Sequence, residues 1–466
     1  MEPNRGQTAS PASKADHLCV LVHGLWGNAA HMGAIASSLR KRYDEDRLHI
    51  LVSESNTGNL TYDGVEVCGE RLTHEIEEVI NKLSTNGHKI RKLSVVGYSL
   101  GGLIARYALG LLYAQGFFEE IEPVNFTTFA SPHLGVRAPV RGAQNLVFNG
   151  LGSRTISISG KQLFLTDTFR DSGKPLLSVL ADSNSIFIQG LAKFKHRSVY
   201  GNVIHDHTTP FYTTVFSSVD HFPDPENSNV NYVKGYDSVI VNPDLYTLPL
   251  EEKERLPFFP RTWLAIRTFV RKMPFYMLFT IAIFIAIPIF LFYAVVQTFR
   301  SRERRRVHEE GSGNLFKRYR MPVAVKRVRT AVDEVFETAA ARQNPDYLSS
   351  SASPSDLESQ PGSPVAKAKT IEDDVPPSQS STDQENRLSK LATDATACGE
   401  KQPTLALTPD QFSMIRSLNA VGFRKYPVFI HNNKHTHAAI IVRMDKAGFE
   451  EGHIVIKHWL DCIFEL

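Results

Sequence analysis

The sequence predicts an α/β fold built on a mostly parallel sheet with helices on both faces. Short apolar runs alternate with amphipathic stretches of helical length from residue 17 onward, and this alternation is typical of right-handed βαβ units. A Gly-x-Ser-x-Gly turn joins one apolar run to the helix that follows it. The composition, 42% hydrophobic and 10% aromatic over 466 residues, supplies enough apolar material for a large core.

The predicted elements follow one another in the order of that alternation. The first two strands are HLCVLVHG and RLHILVSES, with a helix over 28–43 between them. The next elements are the helix VEVCGERLTHEIEEVINKL, the strand KLSVVGYS, the helix LGGLIARYALGLLY, and the strands VNFTTFASP and RSVYGNVI. Near the end, Thr408 caps a helix that has Pro409 in its first position. The strand PVFIHNN and the amphipathic helix GHIVIKHWLDCIFEL complete the series.

Composition divides the chain into regions. Residues 343–403 are rich in Ser, Pro, Asp, Gln and Thr and poor in large apolar side chains, which predicts a disordered linker. The other predicted regions are a disordered N-terminus over 1–15, an α/β core over 16–256 with a cap region at about 139–194, a juxtamembrane helix and membrane-embedded segment over 257–299, a basic region over 300–342, and a C-terminal part of the core over 404–466.

Charge and cysteine content exclude several function classes. A formal net charge of +3 is small for this length and gives no support to a nucleic-acid partner. The cysteines show no CxxC spacing, which argues against a zinc site and against a disulfide framework. They are Cys19, Cys68, Cys398 and Cys462. The first sixteen residues contain no apolar stretch of the kind that a secretory signal needs.

The turn VVGYSLGG predicts Ser99 as a nucleophile. It lies between a predicted strand and a predicted helix, and this is the context that a nucleophile elbow requires. The glycines at 97 and 101 allow a tight, strained turn that presents the Ser99 hydroxyl above the sheet. The N-terminus of the following helix then points at that hydroxyl.

A serine nucleophile also needs hydrogen-bond donors for the developing oxyanion. One donor in this architecture is the backbone N–H after the nucleophile, which is that of Leu100. The other lies in the loop after an earlier strand, here LVHGLWGN, where Leu25 and Trp26 are both candidates. Our prediction is Leu25.

The acid and the base of such a site follow the nucleophile in chain order, each at the end of a later strand. Asp206 is the predicted acid because it lies in a polar turn just after a strand, with Asp220 and Asp224 as rivals. The local pattern does not decide which histidine is the base, because both late loops and earlier loops contain candidates. The late candidates are His431, His435 and His437, and the earlier ones are His205, His207 and His221.

These motifs together resemble the putative serine esterase family of α/β-hydrolases, and within it the fungal lipid-droplet phospholipases. The segments HGLWGN, GYSLGG, ASPHLGV, YGNVIHDHTTP and HAAIIVR carry the resemblance, over about residues 16–236 and 404–466. It implies an α/β-hydrolase; the sequence pattern adds a cap insertion, with the membrane-embedded segment and the disordered linker inserted before the last strand. The resemblance also implies Ser99 as nucleophile, Asp206 as acid and His437 as base, with His435 as the fallback.

The run FYMLFTIAIFIAIPIFLFYAVV, residues 275–296, contains no charged side chain and has about the length that crosses a bilayer. Ser99 and Asp206 precede this run and His437 follows it, so a single crossing would put the base in the opposite compartment. Pro288 lies near its middle, where it allows a turn. We therefore expect a hairpin or an embedded helix rather than one transmembrane helix or a buried core helix; a base upstream of the run, such as His205 or His207, is the alternative.

Basic residues flank the run on both sides, whereas a spanning helix usually shows that bias on one side only. They are Arg267, Arg271 and Lys272 before it and Arg300, Arg302, Arg304, Arg305 and Arg306 after it. We expect these charges to lie near anionic lipid headgroups.

The sequence thus predicts a serine acyl-ester hydrolase that needs neither a metal nor another cofactor. The resemblance implies a phospholipase that releases fatty acids from glycerophospholipids of a membrane or lipid droplet. A neutral-lipid or monoacylglycerol lipase is the alternative, and a non-catalytic membrane tether is a less favoured one. The expected partners are a lipid substrate and a membrane or droplet surface. The expected location is the lipid droplet or the endoplasmic reticulum membrane, with the catalytic domain facing the cytosol.

Overall fold

A computed structural model describes residues 15–137, 139, 157–225, 228–236, 238–246, 292, 296–308, 347 and 403–466. Its strands form one six-stranded sheet with the order β2-β1-β3-β4-β5-β6. The strands are β1 (His17–Val22), β2 (His49–Val52), β3 (Lys92–Tyr98), β4 (Glu122–Phe129), β5 (His196–Asn202) and β6 (Arg424–Val428). All five ladders of this sheet are parallel, which confirms the predicted sheet.

Helices cover both faces of the sheet. The larger ones are α1 (Gly33–Arg42), α2 (Val65–Thr85), α3 (Leu100–Ala114), Pro409–Val421 and Glu450–Cys462. Shorter α-helices lie at Ile158–Leu163, Leu176–Leu180, Ile186–Ala192, Phe211–Thr214 and Thr436–Ala439, and residues 296–308 are also helical. The 3₁₀ segments are Ala29–Met32, Gly58–Asp63, Phe117–Glu119, Arg170–Ser172 and Ala447–Phe449.

Alternate side chains of the strands enter two different cores. In β1, Leu18 and Val20 pack in the core beneath α2 and α3, whereas Cys19 and Leu21 pack in the core beneath α1 and the C-terminal helix. Successive side chains of a strand point to opposite faces, so a sheet covered on both sides needs apolar residues at consecutive positions. This is why the predicted strands are continuous apolar runs.

The last strand joins the sheet from a distant part of the sequence. β6 pairs with β5 in the register Tyr200↔Tyr426 and Asn202↔Val428. The helix before β6 has the predicted cap, because Thr408 and Gln411 form a reciprocal capping box with Pro409 in the first turn. β6 begins at Arg424, three residues earlier than predicted.

Several predicted regions lie largely outside the described residues. They are the N-terminus over 1–15 apart from Ala15, the run 275–296 apart from Phe292 and Val296, and the linker over 343–403 apart from Tyr347 and Pro403. The described part of the predicted cap contains three of the short helices. Among the residues that the structure describes, no helix combines the length and the apolar character needed to cross a bilayer.

The helix over 296–308 corrects one expectation about the basic flank. Arg304, expected near lipid headgroups, is only 3% exposed and forms an ion pair with the buried carboxylate of Asp63. The guanidinium lies inside the protein because Asp63 offers it a matched anionic partner. Arg300 and Arg302 on the same helix are exposed.

Candidate active site

The predicted site residues lie at the carboxyl edge of the parallel sheet. Ser99 follows β3, Asp206 lies four residues after the end of β5, and His437 comes after β6. The loop with Leu25 follows β1. Because all of these strands run in the same direction, their carboxyl ends bring residues distant in sequence to one edge, where α/β proteins place their ligand sites.

The structure brings together three of the predicted side chains. His437 Nε2 lies 3.0 Å from Ser99 Oγ, and His437 Nδ1 lies 3.0 Å from Asp206 Oδ2. In this arrangement Nδ1–H donates to the carboxylate and Nε2 accepts from the serine hydroxyl. All three residues are buried, with 6–7% of their surface exposed.

The backbone at Ser99 has the strain expected of a nucleophile elbow. Its φ is 53°, in the left-handed region that non-glycine residues rarely adopt. A Cβ on Gly97 would lie 2.5 Å from the Cα of Gly102, so only glycine lets the strand and the helix approach so closely. The Ser99 N–H donates to the carbonyl of Phe129 in β4, and this bond fixes the turn on the sheet.

The carboxylate of Asp206 accepts four hydrogen bonds. Oδ2 accepts from the Asn202 amide at 2.8 Å, from the Thr209 hydroxyl at 3.0 Å and from His437. Oδ1 accepts from the Thr209 backbone N–H at 2.8 Å. Burial alone would raise the pKa of Asp206, but the charge and hydrogen bond of His437, together with Thr209 and Asn202, lower it below its ordinary value. The group therefore stays ionised beside the imidazole.

Thr209 and Asn202 are site residues that the sequence analysis missed. The Thr209 hydroxyl lies 3.0 Å from His437 Nδ1 and 3.0 Å from Asp206 Oδ2, so it touches both members of the acid–base pair. A signal existed for Thr209, since a residue three positions after an aspartate in a polar turn is placed to donate to its side chain. No such local signal marks Asn202, which lies at the end of a strand.

The loop after β1 lies directly against the nucleophile. A Cβ on Gly24 would lie 2.7 Å from Ser99 Cβ and 3.2 Å from its Oγ, so the backbone passes beside the hydroxyl. The Trp26 N–H donates to Thr61 Oγ1 at 3.0 Å. Because that donor is engaged, the structure favours Leu25 over Trp26 as the second oxyanion donor, next to Leu100. These two roles stay predictions.

The rival candidates lie in other environments. Asp220 accepts hydrogen bonds from the Phe222 N–H and from the Tyr347 hydroxyl. The His431 ring bonds the carbonyl of Ser238. The His221 ring bonds the Ser217 hydroxyl. Of the candidate bases, His437 contacts both Ser99 and Asp206, while His435 precedes the short helix that carries His437. Asp224, His205 and His207 also lie in described loops after β5, and the contacts that join the acid, the base and the nucleophile run through Asp206 and His437 instead.

The arrangement is that of a Ser-His-Asp site. A hydroxyl on a strained turn faces one imidazole nitrogen of His437, and a buried carboxylate holds the other nitrogen. Such a geometry activates a serine toward a carbonyl carbon. Along the sequence the serine comes first, the aspartate second and the histidine third, which is the order found in α/β-hydrolases.

Part of the chain is similar in sequence to known proteins. Residues 12–219 match the family model described as "Putative serine esterase (DUF676)". A Saccharomyces cerevisiae protein named "Putative lipase ROG1" is 35% identical over 225 residues, which cover 46% of this chain and 30% of that protein. A putative lipase of Schizosaccharomyces pombe is 31% identical over 228 residues, 47% of this chain and 28% of that protein. The similarity thus spans less than a third of the length of these relatives.

Solved structures offer only distant likenesses. Phospholipase PlaB from Legionella pneumophila has a TM-score of 0.25 at 14% identity, covering 46% of this chain and 43% of that one. A lipase-esterase related protein from Clostridium acetobutylicum has a TM-score of 0.23 at 15% identity, covering 43% and 80%. At such TM-scores the likeness carries no argument for this chain. The matched segment, residues 12–219, is thus similar to the putative serine esterase family.

Proposed function

We propose that this protein is a serine hydrolase that cleaves the acyl esters of glycerophospholipids at a membrane or lipid-droplet surface. The observation that carries the hydrolase part is the continuous chain of contacts from Ser99 through His437 to Asp206. The lipid part is supported by the names of the relatives, which are putative lipases, and by the apolar run over 275–296.

The proposed reaction proceeds in two steps. His437 Nε2 takes the proton of Ser99 Oγ as the oxygen attacks the ester carbonyl, and the N–H groups of Leu25 and Leu100 bind the resulting oxyanion. His437 returns the proton to the leaving alcohol, and Asp206 stabilises the imidazolium in between. A water molecule, deprotonated by the same imidazole, then attacks the acyl-enzyme and releases the fatty acid.

The position of the apolar run within the chain supports a surface-bound enzyme. The run lies between Asp206 and His437, whose side chains are in contact. Both of its ends therefore lie on the same side of any membrane that it enters, as a hairpin or an embedded helix allows. Phe292 within the run and Phe299 just after it are 73% and 63% exposed, and exposed phenylalanines near arginines suit a membrane interface.

Labelling with a fluorophosphonate tests the nucleophile. We expect the wild type to be labelled and Ser99→Ala to be unlabelled, while the control Ser37→Ala, on the exposed side of α1, labels like the wild type. Labelling that survives in Ser99→Ala would contradict the assignment.

A lipid panel tests the substrate. Phospholipids and tri-, di- and monoacylglycerols are presented separately on artificial droplets to the wild type and to Ser99→Ala. Fatty-acid release from phospholipids by the wild type alone is the expected result. Cleavage of acylglycerols without cleavage of phospholipids would select the neutral-lipid alternative, and activity on neither class would favour the non-catalytic tether.

A further inference from the structure

One face of the helix over 296–308 packs on the core beside the candidate site. Gln297, Ser301, Arg304 and His308 recur at helical spacing, and the first three are at most 3% exposed. The Ser301 hydroxyl donates to the carbonyl of Tyr62, and His308 Nε2 lies 2.8 Å from Glu70 Oε2 in α2. A repeat of four, three and four residues puts side chains on a single face of a helix. We call this helix the brace helix.

The strongest contact of the brace helix is a buried ion cluster centred on Asp63. Arg304 Nε lies 3.0 and 2.9 Å from the two oxygens of Asp63, and Arg304 Nη2 lies 2.6 Å from Oδ1. Arg71 Nη2 lies 2.8 Å from Oδ2. The side chains of Arg304, Arg71 and Asp63 are 3%, 2% and 0% exposed. A buried carboxylate that loses a guanidinium partner is left undercompensated, which destabilises the backbone position that it holds.

The segment that carries Asp63 also holds the oxyanion loop. Thr61 Oγ1 accepts the N–H of Trp26 at 3.0 Å, and the rings of Trp26 and Tyr62 lie 5.8 Å apart. The Gly58 N–H donates to the carbonyl of Gly27 at 2.8 Å. Three contacts thus join the 3₁₀ segment Gly58–Asp63 to the residues that immediately follow Leu25.

We propose that Arg304 is a positioning residue for the oxyanion hole. It holds Asp63, Asp63 holds the segment Gly58–Asp63, and that segment fixes Trp26 and Gly27, so that the Leu25 N–H points at the oxyanion. The proposal rests on the proposed ester hydrolysis. It differs from a purely structural anchor, because it predicts a loss in the chemical step beyond any loss in stability.

The size of the expected effect follows from the geometry of oxyanion stabilisation. Removing one oxyanion donor entirely typically lowers kcat by about 10²–10³, and a shift of 1 Å in a positioned group costs up to about 10². Arg304 acts on the Leu25 N–H indirectly, through the segment Gly58–Asp63 and the residues Trp26 and Gly27. We therefore expect Arg304→Gln to lower kcat about 10-fold or more. KM for a small substrate should change less than about twofold, because the donor acts mainly on the transition state.

The experiment uses the full chain and a short-chain, water-soluble ester, so that lipid binding plays no part. Arg304→Gln is compared with the wild type and with Glu303→Gln, which removes an exposed ion pair to Arg306 on the same helix. The expected result is a lower kcat and slower fluorophosphonate labelling in Arg304→Gln only. Wild-type kcat in a folded Arg304→Gln overturns the proposal. If that variant does not fold, Arg304→Lys replaces it, because lysine keeps the positive charge but lacks the planar guanidinium that binds both carboxylate oxygens. A kcat below the wild-type value then supports the proposal, and a wild-type kcat overturns it.

A double-mutant cycle distinguishes positioning from general destabilisation. Thr61→Val removes the acceptor of the Trp26 N–H, further along the same path. If Arg304 acts through that path, Thr61→Val lowers kcat less in the Arg304→Gln background than in the wild type. If Thr61→Val lowers kcat by the same factor in both backgrounds, Arg304 does not act through Thr61.

Amide hydrogen exchange separates this proposal from the proposed function. Faster exchange at Gly58–Asp63 and at Leu25–Gly27 in Arg304→Gln supports the positioning role of Arg304, whether or not the protein hydrolyses esters. Unchanged exchange overturns it. A wild type that neither hydrolyses the ester nor reacts with the fluorophosphonate refutes the proposed function. The exchange result still tests whether Arg304 positions the loop that contains Leu25.

Discussion

The Thr209 hydroxyl adds a fourth group to the Ser-His-Asp arrangement. It lies within 3.0 Å of Asp206 Oδ2 and of His437 Nδ1, and it is fixed by its own backbone N–H, which donates to the same carboxylate. The hydroxyl donates to the carboxylate and lies beside the imidazole proton. Thr209 thereby restricts the relative orientation of the acid and the base.

Replacing Thr209 tests this restriction. We expect Thr209→Val to lower kcat about 10-fold or more with KM almost unchanged, since a hydrogen bond to a charged group contributes about 1.5–3 kcal/mol. Thr209→Ser keeps the hydroxyl and should recover most of the activity, as measured by steady-state kinetics on a soluble ester. Equal kcat values for the valine and serine variants would show that the hydroxyl has no part in orienting the pair.

The lowered pKa of Asp206 makes a further prediction about pH. A carboxyl group whose pKa is lower in the folded state contributes stability above its unfolded value, and this contribution is lost as pH falls through the folded value. The ordinary value is 3.8. We therefore expect the difference in free energy of unfolding between the wild type and Asp206→Asn to be constant near neutral pH and to shrink below about pH 3.8.

Urea denaturation at several pH values measures that difference. Asp46→Asn, at an exposed position before β2, serves as the control and should show no such change. A gap between the wild type and Asp206→Asn that stays constant down to pH 3 would mean that the native contacts of Asp206 do not stabilise its charged form.

Among the elements, the strand–turn–helix unit around Ser99 is closely packed. A Cβ on Gly97 would lie 2.5 Å from Gly102 Cα and 2.7 Å from Gly102 N, and both are backbone atoms that have little room to move. We expect Gly97→Ala to lose at least about 1–3 kcal/mol of unfolding free energy, the usual cost of overpacking. Its labelling by a fluorophosphonate should fall as well, because the turn opens.

Gly33 provides a matched control for this prediction. A Cβ there meets nothing within 4 Å, and Gly33 is the first residue of α1 with an ordinary helical φ of −59°. Gly33→Ala should leave the activity unchanged and stabilise the protein by up to about 1 kcal/mol, as alanine favours helices. Thermal unfolding of both variants makes the comparison, and equal melting temperatures would contradict it.

The elements also show where sequence patterns misplace a boundary. The prediction began the last strand at Pro427, whereas β6 runs from Arg424 to Val428 with Pro427 inside it. A proline lacks the N–H that a central strand needs, so it is usually found on edge strands or at strand ends. β6 lies at one end of the strand order in the described part of the sheet. The sheet order, which decides this, cannot be read from the local pattern.

At the scale of the whole molecule, the sheet edge with the candidate site is assembled from two distant parts of the chain. β5 ends at Asn202 and β6 begins at Arg424, yet the two strands are neighbours. The entropy of closing a flexible loop grows only as the logarithm of its length, so a long insertion at this point adds little cost. The sheet and the helices packed on it hold the two parts together.

A cut within the insertion tests this independence. We expect that a specific protease site placed in the predicted linker, residues 343–403, can be cleaved completely while ester hydrolysis continues. The reason is that the described contacts of Ser99 with His437 and of β5 with β6 lie outside that stretch. Activity is assayed before and after cleavage, with the chain lacking the site as the control. Loss of activity on cleavage would show that the linker itself supports the site.

How much the sequence predicts depends on whether the signal is local. The nucleophile turn at Ser99 combines a motif with a strand and a helix, and Thr408 and Pro409 cap their helix as the pattern indicates. The choice of His437 among neighbouring histidines needed a resemblance, because nothing local separates them. The ion pair of Asp63 and Arg304 was unpredictable, since 241 residues separate the two side chains and neither belongs to a motif.

The separation of Ser99 and His437 by 338 residues also sets an order of events during synthesis. A ribosome that adds roughly 5–20 residues per second needs about 17–70 s to pass from the nucleophile to the base. The apolar run leaves the ribosome within that interval and is available to a membrane before the base exists. In the proposed hydrolase, the base therefore joins the nucleophile only after the residues that carry it have folded beside β5.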